Sequence, residues 1–381
     1  MKNLDKIFLL LVVLVVSGIF TCSYGADPGS DSLNVQNNSN NHIILSSSTI
    51  KTVNQTRIIF VNIKGDDANS GLTVENPLKT IQSAINMAKP GNIIKVAPGT
   101  YNENIIINKN IKLIGFSSKN TVINGNNKNR CILVQSKVDA LITGFTITGG
   151  KSDFGAGIFN NGTLKLNDTL IKGNQARRGG GIFNKGELNA DYSSFINNIA
   201  MIGGGISNSA MIYLKDCNIS SNTGRDIGGG INNNGTFYLL NSVVKSNKAG
   251  IGGGISNDGD MQIFESFINF NTAENGGGIF NNGKLSIVRS KVLKNTAVEG
   301  GGIFNKGNLA IFATIILVNT AENGGGINNY GVIKLYNTAI TGNIGHKSGG
   351  GIYNNSTIYI DKYTVIKGNI KVDVSGNPLK T

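Results

Sequence analysis

Residues 276–306 read Gly276-Gly-Gly-Ile279-Phe-Asn-Asn-Gly-Lys-Leu-Ser-Ile-Val-Arg-Ser-Lys-Val-Leu-Lys-Asn295-Thr-Ala-Val-Glu-Gly300-Gly-Gly-Ile303-Phe-Asn-Lys306. The stretch holds one full unit of a repeat and the start of the next. Three small residues, an isoleucine, any residue and an asparagine recur nine times, with the isoleucine at Ile158, Ile182, Ile206, Ile231, Ile255, Ile279, Ile303, Ile327 and Ile352. The steps are 24 or 25 residues. A fixed period of this size marks a solenoid, because no unit can bury its apolar side alone and each must stack on its neighbour.

The pattern extends across the unit. Six and eight residues after each isoleucine the chain is apolar, as at Leu285 and Ile287 or Ile333 and Leu335, and the residue between them varies freely. Equal parity puts positions six and eight on one face of a strand. Position eleven is small, position thirteen apolar, and position sixteen asparagine: Asn174, Asn198, Asn222, Asn247, Asn271, Asn295, Asn319 and Asn343, with Asn369 one residue late in the ninth copy. Short period-two runs broken by Gly and Asn read as β-strands. A helical solenoid is excluded, since the glycine runs and the β-branched segments both oppose helix. Asn tolerates turn conformations, and its amides can bond to each other up a stack, so the position-sixteen column reads as a structural ladder. The column two after each isoleucine, from Asn160 to Asn354, reads the same way.

The motif Gly-Gly-Gly-Ile, together with elements such as Phe195-Ile-Asn-Asn198, resembles the repeat of chlamydial polymorphic membrane proteins and, more closely, that of adhesin-like surface proteins of methanogenic archaea. Both belong to the pectin-lyase-like group. The resemblance covers roughly residues 57–375. It implies an all-β fold, a right-handed parallel β-helix of about 12 coils, and a surface-exposed role. The chain departs from the chlamydial pattern in that no membrane-barrel translocator follows the repeats, so an autotransporter mechanism is not supported.

Around this core the chain divides into three expected parts. Lys2 and Lys6 precede an apolar run from Ile7 to Phe20, and Ser23-Tyr24-Gly25 offers a cleavage site, so residues 1–25 read as a signal peptide. Residues 26–56 are rich in Asn and Ser and read as a flexible tether. Residues 57–381 form the solenoid, with regular repeats over 155–370. Between Pro77 and Pro90-Gly91 the spacing predicts a helix over 78–89, with Leu78, Ile81, Ala84, Ile85 and Ala88 on one face. An open parallel stack has an unpaired apolar end, and such a helix serves as its lid. No second helix is predicted at the other end, which leaves Pro378 and nearby lysines, or a partner, to protect it.

Composition narrows function. The formal charge is +13, with Lys+Arg 35 against Asp+Glu 22. Lysines scattered over outward columns suit acidic cell-wall or host polysaccharides and glycoproteins, or simply protect exposed strands from aggregation. Nucleic acid is disfavoured, since no basic run is interleaved with stacking aromatics. Cys131 and Cys217 stand more than three coils apart, about 17 Å along the axis, too far for a disulfide.

No catalytic constellation is legible. Position ten carries Asp168, Asp216 and Glu265, but never acids on consecutive coils. Asp66 and Asp67 are adjacent carboxylates that could hold calcium, yet a pair alone defines no site; no other cofactor is suggested. The candidate ligand-binding residues form a stripe directly after the isoleucines: Phe159, Phe183, Phe280, Phe304 and Tyr353. Their rings either stack on sugars or pack on each other between coils. The expectation is a secreted or cell-surface, adhesin-like protein that binds polysaccharide or other cells without catalysis. A polysaccharide lyase, hydrolase or epimerase is the first alternative, and a structural spacer of the cell envelope the second.

Overall fold

The computed structural model describes residues 57–380. The expected signal peptide and tether lie outside them. The described chain is a right-handed parallel β-helix whose strands pair in parallel with those of neighbouring coils. One sheet contains 12 strands, running from Ile105–Ile107 to Val374–Gly376, and most of them are the three-residue Ile-x-Asn element. A second, larger sheet takes up the next two strands of each coil, such as Lys284–Val288 and Lys291–Leu293. A third, less regular face carries strands such as Gln175–Arg178 and Thr320–Asn323, bridged between them by single residues including Asn275 and Glu299.

The interior follows the columns of the repeat. The isoleucines from Ile158 to Ile352 are fully buried, as are Leu285, Ile287, Val292 and their equivalents on the coils before the last, where Ile360 and Ile366 are only partly buried. Each such side chain contributes about 1.5–3 kcal/mol relative to exposure. Pairing keeps like above like: Ile279 stands on Ile303, Phe280 on Phe304, Asn281 on Asn305.

Two corners of each coil carry residues at positive φ. At position ten, Asp168, Tyr192, Asp216, Asn241, Glu265, Arg289, Ala313 and Asn337 have φ between 41 and 53°. At position fifteen, Asn197, Ser221, Ser246, Phe270, Lys294 and Val318 have φ of 54–56°. This region is costly for most residue types, and most of all for β-branched Val318. The ladders accompany the strain. After most of these turns the next amide is taken by a side chain of the following coil, not by its backbone: Ser242 N–H donates to Ser266 Oγ at 3.0 Å, and Asn271 N–H to Asn295 Oδ1 at 2.9 Å. Asn271 Nδ2 also donates to Asn295 Oδ1 at 3.0 Å and to the Val244 carbonyl at 2.9 Å. The same chain of amides runs from Asn174 through Asn198, Asn222, Asn247, Asn271, Asn295, Asn319 and Asn343 to Asn369, where Asp373 Oδ1 ends it by accepting from Asn369 N–H and Nδ2. A second ladder climbs from Asn160 to Asn354.

The helix, α1, is shorter than its periodicity predicts, at Ile81–Met87. Leu78 pairs instead with Val61, and Thr80 serves as N-cap, its hydroxyl accepting from Ser83 N–H. Glu103 holds the first amides of α1, from Ile81 and Gln82, and Lys109 reaches the carbonyls of Asn86 and Ala88 at its other end. Charges of these signs suit the two ends of a helix. At the opposite end of the stack there is a strand where none was expected. Val374–Gly376 pairs with Ile352–Asn354, and Lys380 exchanges backbone hydrogen bonds with Ile358 and Ile360.

Candidate functional site

The outward residue of each Ile-x-Asn strand forms the floor of a groove along the 12-stranded sheet. The first glycine of each run, at φ of 52–65°, reverses the chain so that the residue four before the isoleucine flanks this floor. That column reads Phe154, Arg178, Ile202, Ile227, Ile251, Asn275, Glu299, Asn323 and Ser348. The residue three after the isoleucine supplies the other bank, including Lys306 and Tyr330. Contacts show both banks meeting the floor: Arg178 lies over the Phe183 ring at 5.7 Å, and Lys306 over Phe304 at 5.6 Å.

The floor is less exposed than its variability suggests. Phe183 and Phe304 are only 5% and 6% exposed, and Phe159, Phe280 and Tyr353 are half-buried. Register places all five in one column, but in separate groups. Phe159 stacks on Phe183 at 5.5 Å and Phe280 on Phe304 at 5.5 Å, with buried Ser207, Asn232 and Ser256 between the pairs. Tyr353 stands apart, in register with Asn328 and Ser375.

The second pair borders an open cleft of about 600 Å3 lined by Asn275, Glu299, Phe304, Lys306 and Tyr330. Tyr330 stacks on Phe304 at 5.6 Å and is itself 48% exposed. Glu299 accepts from Asn323 Nδ2 at 2.8 Å and from Asn328 Nδ2. Asn328 is fully buried, and its Oδ1 has no hydrogen-bond partner. The cleft therefore combines an exposed aromatic face with a carboxylate, an ammonium and amides. One carboxylate lines it, whereas acid–base hydrolysis of a glycoside ordinarily uses two.

A family model described as "Protein of unknown function (DUF1565)" matches residues 63–106, which span α1 and the first coils. No curated protein matches the chain. Among solved structures, the chain is similar to a complex of XylC with xylose (10% identity, 74% of this chain and 75% of that one, TM-score 0.45). It is also similar to pectin methylesterase from carrot (12%, 83% and 90%, TM-score 0.38). A third is the catalytic domain of a GH87 alpha-1,3-glucanase in complex with tetrasaccharides (12%, 83% and 69%, TM-score 0.45).

The two aspartates of the N-terminal loop are already engaged. Asp67 accepts from the backbone of Lys79 and Thr80 and from the Thr80 hydroxyl, and Asp66 accepts from Ala68 N–H. Among the described residues no group of three or more His, Cys, Asp or Glu gathers as metal ligands would. Cys131 and Cys217 are free and buried, and burial pushes both thiols up to about 12.

Sequence reading identified the floor but missed most of the banks. Glu299 and Tyr330 occupy columns with no fixed residue type; the turn at the glycines brings Glu299 beside the aromatics, and Tyr330 reaches them from the end of the strand Ile327–Asn329. Arg178, Asn275 and Asn323 carry the one available signal, which is variability just before the glycine run.

Proposed function

We propose that this chain is a secreted or cell-surface, adhesin-like protein that binds polysaccharide or glycoprotein glycans along its groove without catalysis. The observation that carries this reading is the cleft at Phe304 and Tyr330. A sugar ring offers a C–H face to an aromatic ring and hydroxyls to its edge. Tyr330 supplies the exposed face, while Glu299, Asn275 and Lys306 supply acceptors and donors around it.

The test is co-sedimentation with insoluble cell-wall material, acidic plant polysaccharide and mucin, with the supernatant assayed for released sugar. Saturable pelleting that weakens about tenfold in Tyr330→Ala supports the reading. Pelleting indifferent to that change would move the site elsewhere. No pelleting on any polymer would favour the envelope spacer.

A second reading, a polysaccharide-active enzyme, rests on Glu299, whose two oxygens are positioned by Asn323 and Asn328. It requires released product that disappears in Glu299→Gln.

A further inference from the structure

Six of the 35 basic residues are arginine, and three of the six converge at the N-terminal end of the groove. Arg130 lies over Phe159 at 5.0 Å, Arg177 over Phe154 at 5.1 Å, and Arg178 over Phe183 at 5.7 Å. The rings beneath them form one cluster: Phe154 and Phe159 are 5.4 and 5.5 Å from Phe183. Three guanidinium groups are thus held over one aromatic platform drawn from three successive coils.

No carboxylate answers them. The ion pairs among the described residues are Lys165–Asp139, Lys284–Asp260, Arg289–Glu265 and Lys347–Glu322, none of which includes these arginines. Asp153 shares a strand with Phe154 but makes no ion pair with them. Arg130 donates from Nη2 to Ser152 Oγ at 3.2 Å and to the Phe154 carbonyl at 3.1 Å. The Nε atoms of Arg130 and Arg178 are buried without a hydrogen-bond partner. Elsewhere the chain carries its positive charge mainly on lysine, with arginine only at Arg57, Arg225 and Arg289. Arginine differs in its planar fork of donors, which matches two oxygens of one anion and stacks on rings without losing that edge. Stacking offsets part of the mutual repulsion, and a bound oxyanion would offset the rest.

We infer that Arg130, Arg177 and Arg178 form an oxyanion subsite that takes the carboxylate or sulfate group of an acidic polysaccharide. This rests on the glycan-binding reading and narrows it: the polymer along the groove carries acidic groups, and its anion docks at this end while uncharged sugar stacks at Tyr330.

Affinity electrophoresis of the full chain tests this at physiological salt, in gels containing neutral dextran, dextran sulfate, polygalacturonate or oligo-dT. The variant is R130K/R177K/R178K, which keeps every charge and removes every fork. The subsite predicts retardation by dextran sulfate or polygalacturonate, whichever group it takes, and a tenfold or greater loss in the variant. Neutral dextran is unaffected. Equal retardation of variant and wild type, or oligo-dT held as tightly as the acidic glycans, overturns the subsite in favour of diffuse charge. Retardation by neutral dextran alone overturns the subsite but leaves glycan binding standing; retardation by nothing overturns both. Should the triple variant not fold, R177K, at the most exposed of the three, reads the same effect at severalfold.

Discussion

The side-chain amide of Gln82 caps both backbone groups of Ile106: Gln82 Oε1 accepts from Ile106 N–H at 2.8 Å, and Nε2 donates to the Ile106 carbonyl at 3.4 Å. Ile106 is the middle of the first strand in the 12-stranded sheet, where no earlier coil exists to pair with it. A helical residue thus stands in for a missing strand. This gives the lid a hydrogen-bonding role besides its apolar one, in which Ile81, Ala84 and Ile85 are buried against the stack. Gln82→Ala is expected to destabilise by about 1–2 kcal/mol in urea unfolding. It also exposes an edge, so dimers or larger species should appear in light scattering. An unchanged midpoint with no self-association would remove Gln82 from this role.

The interior ladder makes a positional prediction. Asn271 is fully buried and takes part in bonds to both neighbouring coils, so Asn271→Ala should cost about 3 kcal/mol or more. Asn369, half-buried at the end of the ladder, should cost clearly less when changed the same way. Equal losses at the two sites would contradict a ladder whose value comes from burial.

Glycines of the repeat separate into two kinds. A Cβ on Gly302 would stand 2.5 Å from the Gly326 carbonyl oxygen, so Gly302→Ala should cost about 3 kcal/mol or prevent folding. At Gly173, with φ +63°, a Cβ meets nothing closer than 3.4 Å, and Gly173→Ala should cost only the left-handed penalty of about 1–2 kcal/mol. Urea midpoints of the two variants decide the point.

Asp67 gives a pH dependence. Burial pushes its carboxyl up, but hydrogen bonds from Thr80, Ser83 and Lys79 together outweigh that and leave it below the usual 3.8. A lowered folded value means stabilisation that is present above 3.8 and lost as pH falls through the folded value. The melting temperature of Asp67→Asn should therefore lie below wild type at neutral pH, and the two should converge as the pH falls from 3.8 through the lowered folded value. A gap that persists undiminished in acid would exclude the charge as its source.

The buried thiols offer a probe of unfolding. With both pushed up to about 12, Cys131 and Cys217 should resist a disulfide reagent at pH 8 in the folded chain and react at once in denaturant. Rapid modification of either under native conditions would show that its coil opens locally.

Much of this molecule can be read along one dimension because its contacts are periodic. Ile279 meets Ile303 for the same reason that it precedes it by one repeat, so the columns, their inward or outward sense and the stacking of asparagines follow from spacing alone. The groove is legible only in its floor. Phe280 and Phe304 share a column, but Glu299 and Tyr330 reach them from columns of mixed residues.

What the sequence determined by itself was the coil: its period, its buried columns and its parallel stacking, since a 24-residue unit with one apolar side has no other way to leave water. Tertiary structure alone decided the corners and the ends. Whether Glu265, Phe270 or Val318 turns left-handed depends on a side chain one coil away taking the next amide, which no local propensity reveals. That Gln82 caps Ile106, and that Arg130, Arg177 and Arg178 meet over three phenylalanines, depends on how successive coils are rotated onto one another.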